Sequence, residues 1–369
     1  MPAPKSMAVS VRVLEQADYP ELARFLAEQT QGVLDEGLWL DRFELFWETN
    51  PNRQDTEARG WVLTDGQRIL GFFGNIPMCY CLDGVETTVY GATSWYVSEN
   101  VRRRSLELLL PFFSQANGLH TTPTAAVSKI LSEFECVRLD RPWTNYELLL
   151  PVDTSAFAEL AALTLADKGI RRWAIQQAVG AAVRTWSAIG AATRLLARRP
   201  LGTTFREISE FSADYNTFWL RFSRRHRGLA VRNADQLNWL FFGSTQLRRT
   251  RRVVEVRHGA ELIGYAAVKR IRAQVANAER HALELVDLVV DDENPETLQA
   301  IVNGLLSLVE TESVPPAFLR VYPLHPGFAA ICKRSGFLVR KREIRYFIKG
   351  FSSEGLFSSP LDGDRCFFS

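Results

Sequence analysis

The chain has 369 residues, more than the roughly 250–300 that a single hydrophobic core commonly supports, so two units are expected. Its 46% hydrophobic and 23% charged residues are those of an ordinary globular protein, and a formal net charge of +2 gives no global drive towards nucleic acid or anionic lipid. The five cysteines and five histidines stand at no metal-ligand spacing, so no metal site, no disulfide framework and a reducing, cytoplasmic setting are expected.

The opening residues, MPAPKSMAVSVRV, lack the apolar core of a signal peptide, and no apolar run reaches the roughly 20 residues of a membrane span. The first periodic segment, YPELARFLAEQT (19–30), spaces its apolar residues as a helix does. After Trp47 comes WVLTDGQRILGFFGNIPMCYCL (61–82), two strand-like runs around a Gly-containing turn. Cys79 and Cys81, two apart on the second run, read as small buried hydrophobes. A further strand ends at SWYV (94–97), followed by the cationic turn SENVRRRS and a leucine-rich stretch expected to be helical over 105–117. The segment ILSEFECVRLDR (130–141) then leads into the last strand of a first unit over residues 8–151.

Residues 152–205 interrupt the pattern. From Lys168 to Arg199 the segment carries seven Lys or Arg and no acid, with Trp173 and Trp186 among small apolar residues. A helix ending by Pro200 is expected. It serves as a connector or a lid over a cleft; the competing reading is peripheral contact with an anionic membrane surface through residues 168–199. A second unit, residues 206–350, repeats the order of the first. It has a helix, YNTFWLRFSRRH (215–226); Trp239 within LNWLFF; and the strands VVEVRHGAELIGYAAVKRIRA (253–273) and LELVDLVV (283–290). An acidic turn, DDEN, precedes a helix from Pro295, whose missing N–H is harmless in a first turn. The loop RVYPLHPG, the helix end at Gly336-Phe337 and a last strand complete it, leaving a tail at 351–369. The cluster RRTRR (248–252) has no interleaved aromatics for base stacking, so nucleic acid is not an expected partner.

The landmarks of the two units correspond at a nearly constant offset. Gly66 and Gly71 answer Gly259 and Gly264, and Trp47 answers Trp239. YVSEN answers VVDDEN, and ILSEFECVRLDR answers ICKRSGFLVRKR. The chain therefore reads as two copies of one α+β module, each a mixed, mostly antiparallel sheet flanked by helices.

These landmarks resemble the GNAT superfamily of acyl-CoA N-acyltransferases, in which a strand end, a turn carrying Arg-x-x-Gly-x-Gly/Ala and a helix hold the cofactor. Val97 matches the strand end and Arg102 the motif arginine; Arg103, Ser105 and Glu107 fall near the glycine positions. Gly336-Phe337 meets the family's C-terminal mark, and Glu135 replaces that glycine in the first copy. Trp47, Asn50-Pro51 and the following hairpin also look like acyltransferases of polysaccharide or cell-envelope synthesis. The resemblance implies acyl-CoA, acetyl-CoA in the simplest case, gripped around Tyr96, Val97, Arg102, Arg103, Arg104, Ser105 and Leu106, with backbone N–H groups and guanidinium groups on the pyrophosphate. The acceptor would be a small-molecule amine, an amino sugar for instance, in the groove between copies.

A base is then needed to take the amine's proton. Glu99 lies beside the turn and otherwise serves as solvent cover. Asp287, inside an apolar strand, must face a cleft or a partner. Tyr322, with His325, occupies a loop where the family presents reactive groups. In the second copy Asp291, Asp292, Glu293 and Glu296 stand where a pyrophosphate would lie, so that copy is expected to have lost the cofactor. The rival reading is a catalytically inactive tandem scaffold; a third is transfer from aminoacyl-tRNA without CoA.

Overall fold

The computed structural model describes residues 8–159, 180–181, 202–275, 278–291 and 293–367. The basic segment expected at 168–199 therefore lies outside the described residues, apart from 180–181, which are helical. Among the described residues the β-branched and aromatic runs form fifteen strands: β1 (Ser10–Val13), β2 (Gly60–Thr64), β3 (Ile69–Leu82), β4 (Val85–Val97), β5 (Gly118–His120), β6 (Val137–Arg138), β7 (Tyr146–Pro151), β8 (Thr203–Ile208), β9 (Gly228–Ala230), β10 (Arg251–His258), β11 (Glu261–Val275), β12 (Ala278–Val290), β13 (Phe318–Val321), β14 (Leu338–Lys341) and β15 (Phe347–Lys349).

They build two mixed sheets. The first runs β1-β2-β3-β4-β5-β15-β6, with β9 added on β3; the second runs β8-β10-β11-β12-β13-β7-β14. The orders are the same, but the last strands are exchanged. β7, placed by the sequence at the end of the first unit, hydrogen-bonds β13 and β14 of the second sheet. β15, from the end of the second unit, lies between β5 and β6 of the first. A division after residue 151 thus keeps β7 with the chain that precedes it but separates it from the sheet it completes. Hydrophobic alternation marks a strand and its two faces, and it does not say which sheet receives it.

The halves also share a core. Trp47 donates from Nε1 to the Asn75 carbonyl at 2.8 Å, and Trp239 donates from Nε1 to the Leu45 carbonyl at 3.1 Å, both fully enclosed. Around them one apolar cluster joins residues of the first 80 positions to Phe211, Phe218, Phe242, Tyr265 and Leu361. The second sheet's other face is covered by helices Pro295–Glu310 and Pro326–Arg334.

The expected helix over 105–117 is broken. Glu99–Leu108 winds as a 3₁₀ helix, followed by a short α-helix, Leu110–Phe113. Pro111 is the physical reason: it fits a first helical turn but clashes within a continuing helix. The tail is no appendage either, because residues 356–367 run through the space between the two sheets. Phe357 donates its N–H to the Gly228 carbonyl, and Leu361 and Phe367 are buried. Among the described residues no helix is long and apolar enough to cross a membrane.

Candidate active site

The geometry of the first sheet opens one position for chemistry. β4 and β5 run parallel and pair only at Tyr90–Gly118 and Gly91–Leu119. Just beyond, β4 carries a bulge: its register against β3 shifts between Phe72 and Gly74, and Ser94 takes φ +54°. Gly74 permits the close approach, since a Cβ there would sit 2.5 Å from Thr93 Cγ2. A bulge frees backbone donors and bends the strand, so β4 and β5 splay apart.

The splay is filled from the tail. Asp364 accepts from Thr121 Oγ1 at 2.5 Å and from Thr122 Oγ1 at 3.0 Å beyond β5, and it also takes a hydrogen bond from Thr93 on β4. Its carboxyl is buried, and burial holds it above the ordinary carboxylate range, against the pull of the three hydroxyls and of Arg365. Arg42, also buried, is lowered to about 10 by desolvation, with Asp364 the nearby acid that favours its charge. Tyr96, half-buried, is raised by burial and feels both groups. A buried carboxyl whose pKa is raised can serve as a proton acceptor.

A groove opens between the two halves. It encloses about 290 Å³ between Pro51, Asn52, Cys79, Glu86 and Thr88 of the first half and Val231, Asn233 and Gln236 of the second. Asn52 and Gln236 close its floor with reciprocal amide hydrogen bonds of 2.9 and 2.7 Å. Cys79 and Gln236 also line an inner pocket that ends at Leu361, Asp362 and Gly363, next to Asp364.

The residues expected from the sequence are distributed unequally about this point. Val97 ends β4 and Tyr96 precedes it, both half-buried beside the splay. Glu99 opens the 3₁₀ segment in solvent, and Arg102 and Arg103 are exposed. Arg104 is committed: its guanidinium pairs with Glu107 at 2.6 Å and donates to the Val9 carbonyl. The Glu107 carboxylate therefore points at a guanidinium, and that pair holds its pKa low. Ser105 is half-buried and Leu106 exposed; Ser98, at the N-cap, makes no capping hydrogen bond.

Asp287 and Tyr322 lie in the second sheet and differ from the expectation of groups open to an acceptor. Asp287 is fully buried next to the bulge of β12 and pairs with Arg232 at 2.9 Å, while Tyr265 donates to it at 2.5 Å. The Tyr322 hydroxyl is buried and accepts from Arg365 at 2.7 Å; burial, and Glu284 nearby, push its pKa up to about 12. β12 and β13 likewise run parallel and pair only at Leu283–Leu319 and Glu284–Arg320, and the tail fills this second splay too, through Ser359, Asp362 and Arg365. His325 caps helix Pro326–Arg334 and pairs with Glu293 at 2.5 Å, and Asp291 is held by Arg221 and Arg225. Asp291 and Glu293 of the acidic turn are thus built into ion pairs.

Asp364, Thr93, Thr121, Thr122 and Arg42 escaped the sequence reading. Asp364 sits in a short polar run, SSPLDGDR, that looks like any solvated tail; only its long-range partners set it apart. Among the described residues no group of three or more His, Cys, Asp or Glu is placed to hold a metal.

No protein-family model and no curated protein matches the chain. Solved structures do. The N-myristoyltransferase of Saccharomyces cerevisiae with bound myristoyl-CoA superposes with a TM-score of 0.52 at 11% identity, over 98% of this chain and 84% of that one. A GCN5-related N-acetyltransferase from Anabaena variabilis gives 0.53 at 8% identity, over 92% and 72%. A probable N-acyltransferase from Enterococcus faecalis, of unknown function, gives 0.51 at 8%, over 92% and 72%. At these identities the likeness is one of fold: the chain has a GNAT-like α+β architecture, mixed sheets flanked by helices.

Proposed function

We propose that this protein transfers an acyl group from acyl-CoA to an amine acceptor at the splay of β4 and β5. The observation that carries the proposal is Asp364, a buried carboxyl set across that splay by Thr93, Thr121 and Thr122. In this reading the thioester lies along β4 beyond Val97, and Arg102 and Arg103, exposed and without an ion pair among the described residues, meet the pyrophosphate. Backbone N–H groups released at the Ser94 bulge polarise the thioester carbonyl. The acceptor nitrogen attacks the carbonyl carbon while Asp364 takes its proton; the tetrahedral intermediate collapses, the C–S bond breaks, and the CoA thiolate leaves and is reprotonated. Asp287 and Tyr322 have no step here; they hold the tail that places Asp364.

The acyl group is short, acetyl in the simplest case, because Gly363 and Asp364 stand in the splay. The acceptor is hydroxyl-rich, an amino sugar being the fitting class, because the groove offers the amides of Asn52, Asn233 and Gln236, the Thr88 hydroxyl and the exposed Glu86, which has no ion pair among the described residues, to a polar ammonium-bearing molecule. Use in polysaccharide or envelope synthesis and a cytoplasmic setting belong to the same reading; the four cysteines whose side chains are described are free thiols. Calorimetric titration with acetyl-CoA tests it: saturable heat is expected, lost in an Arg102→Glu/Arg103→Glu variant, and an amine panel should then release free thiol. A second reading, an inactive scaffold, is favoured by the tail's occupation of both splays. Absence of heat and of a thermal shift at millimolar acetyl-CoA would establish that reading and end the first.

A further inference from the structure

Away from its helical cover, the second sheet carries a row of charges across five adjacent strands. Lys269 on β11 stands opposite Glu284 on β12, Glu284 opposite Arg320 on β13, and Glu147 on β7 opposite Arg340 on β14. The signs alternate along this row. Two further arginines join it, Arg342 just after β14 and Arg365 from the tail. Glu147, fully buried, receives Arg320, Arg340 and Arg342; Glu284, 3% exposed, receives Arg320 at 2.6 Å and Arg365 at 3.3 Å. Burial alone would raise the Glu284 carboxyl, but Lys269, Arg365, Arg320 and Arg342 overturn that and hold it at about 2.

Among the described residues four arginines, Arg320, Arg340, Arg342 and Arg365, thus converge on these two carboxylates. Nearby acids among the described residues do not supply the balance: Glu343 is engaged by Arg138 and Arg345, and Asp364 is held among threonines. Uncompensated charge in a low-dielectric setting is unfavourable, and here the surplus is positive. It is also reachable. The side chains of Arg340 and Arg342 are 45% and 30% exposed, and Arg342 commits only Nη1, to Glu147 and the Tyr322 hydroxyl. Its Nε and Nη2 remain as a planar pair of donors, the geometry that takes two oxygens of one tetrahedral anion.

We propose that this ledge, centred on Arg342 and Arg340, binds a phosphate dianion, either inorganic phosphate or the phosphate of a small phosphomonoester. The site is independent of the β4–β5 splay and stands or falls without it. Calorimetry on the full chain, with inorganic phosphate in one arm and glycerol 3-phosphate in the other, at ionic strength matched with chloride, tests it. Saturable binding in either arm supports the site and identifies the source, together with a rise in Tm that chloride does not reproduce. Arg342→Gln and Arg340→Gln should each weaken binding about tenfold or more. Arg342→Gln should also melt in chloride no lower than the parent, because it relieves the surplus charge. No saturable response of the parent protein in either arm overturns the proposal, and so does an undiminished response in the double variant.

Discussion

Replacing Arg232 by methionine probes how the tail is locked between the sheets. The guanidinium is fully buried and makes four contacts: Nε to Asp287 at 2.9 Å, Nη1 to the Ala230 carbonyl at 3.0 Å, and Nη2 to Ser359 at 3.1 Å and Asp362 at 2.7 Å. Methionine retains much of the volume but leaves two carboxylates without a counter-charge, and Asp287 Oδ1 already has no hydrogen-bond partner. Removing one partner of a buried pair costs about 3–5 kcal/mol, a large part of a typical stability of roughly 5–15 kcal/mol. The cost must depend on pH. Asp362 is raised to about 6 by burial even with Arg232 present, so at pH 5 it already carries a proton and only Asp287 is newly stranded. Above pH 6 Asp362, stripped of Arg232, must take a proton that the unfolded chain does not bind, and stability therefore falls further as pH rises. Urea denaturation at constant m should give a loss of about 3 kcal/mol at pH 5 and about 5 kcal/mol at pH 7–8. Adding Asp362→Asn to the variant should recover part of it, as coupled neighbours do. A loss below about 1 kcal/mol, or one that does not change with pH, would refute the reasoning.

Three further outcomes are expected. Asp364→Asn keeps an acceptor for Thr121 and Thr122 but loses the base, so acyl transfer should fall about 10²–10⁴-fold. Because the folded carboxyl is raised, its stabilising contribution is present at low pH and lost as pH rises, and the variant should be at least as stable as the parent by thermal melting at pH 8. Gly363 adopts φ +79°, and a Cβ there would lie 2.4 Å from Thr121 Cγ2; Gly363→Ala should cost about 1–3 kcal/mol in urea denaturation, and a neutral result would mean that the tail is not fixed in the splay. His120, which ends β5, is buried against Phe112 and Phe113, and desolvation lowers it to about 3. Its contribution is intact above pH 6.5 and lost on acidification, by roughly 3 kcal/mol at pH 4.5. His120→Leu should therefore flatten the difference in denaturation midpoint between pH 7 and 4.5, and equal acid sensitivity would count against a neutral buried imidazole.

The strands, their alternation and the correspondence of Gly66/Gly71 with Gly259/Gly264 were legible in the sequence because they follow from local periodicity and turn chemistry. The same holds for the cationic turn at Arg102, which remains exposed at the end of β4. Other features required the folded chain. The exchange of β7 and β15 depends on which sheet edge each strand meets, and two strands of equal pattern are interchangeable in a one-dimensional reading. Asp287 was rightly singled out as a carboxylate in need of company, yet its partner, Arg232, comes from 55 positions away, and only tertiary packing decided between a cleft and an ion pair. Asp364 is the sharpest case. In the sequence it is one acid in a polar tail; its burial, its threonine partners and its raised pKa all arise from contacts more than 200 residues distant, because desolvation and charge are properties of a place in space and not of a position along the chain.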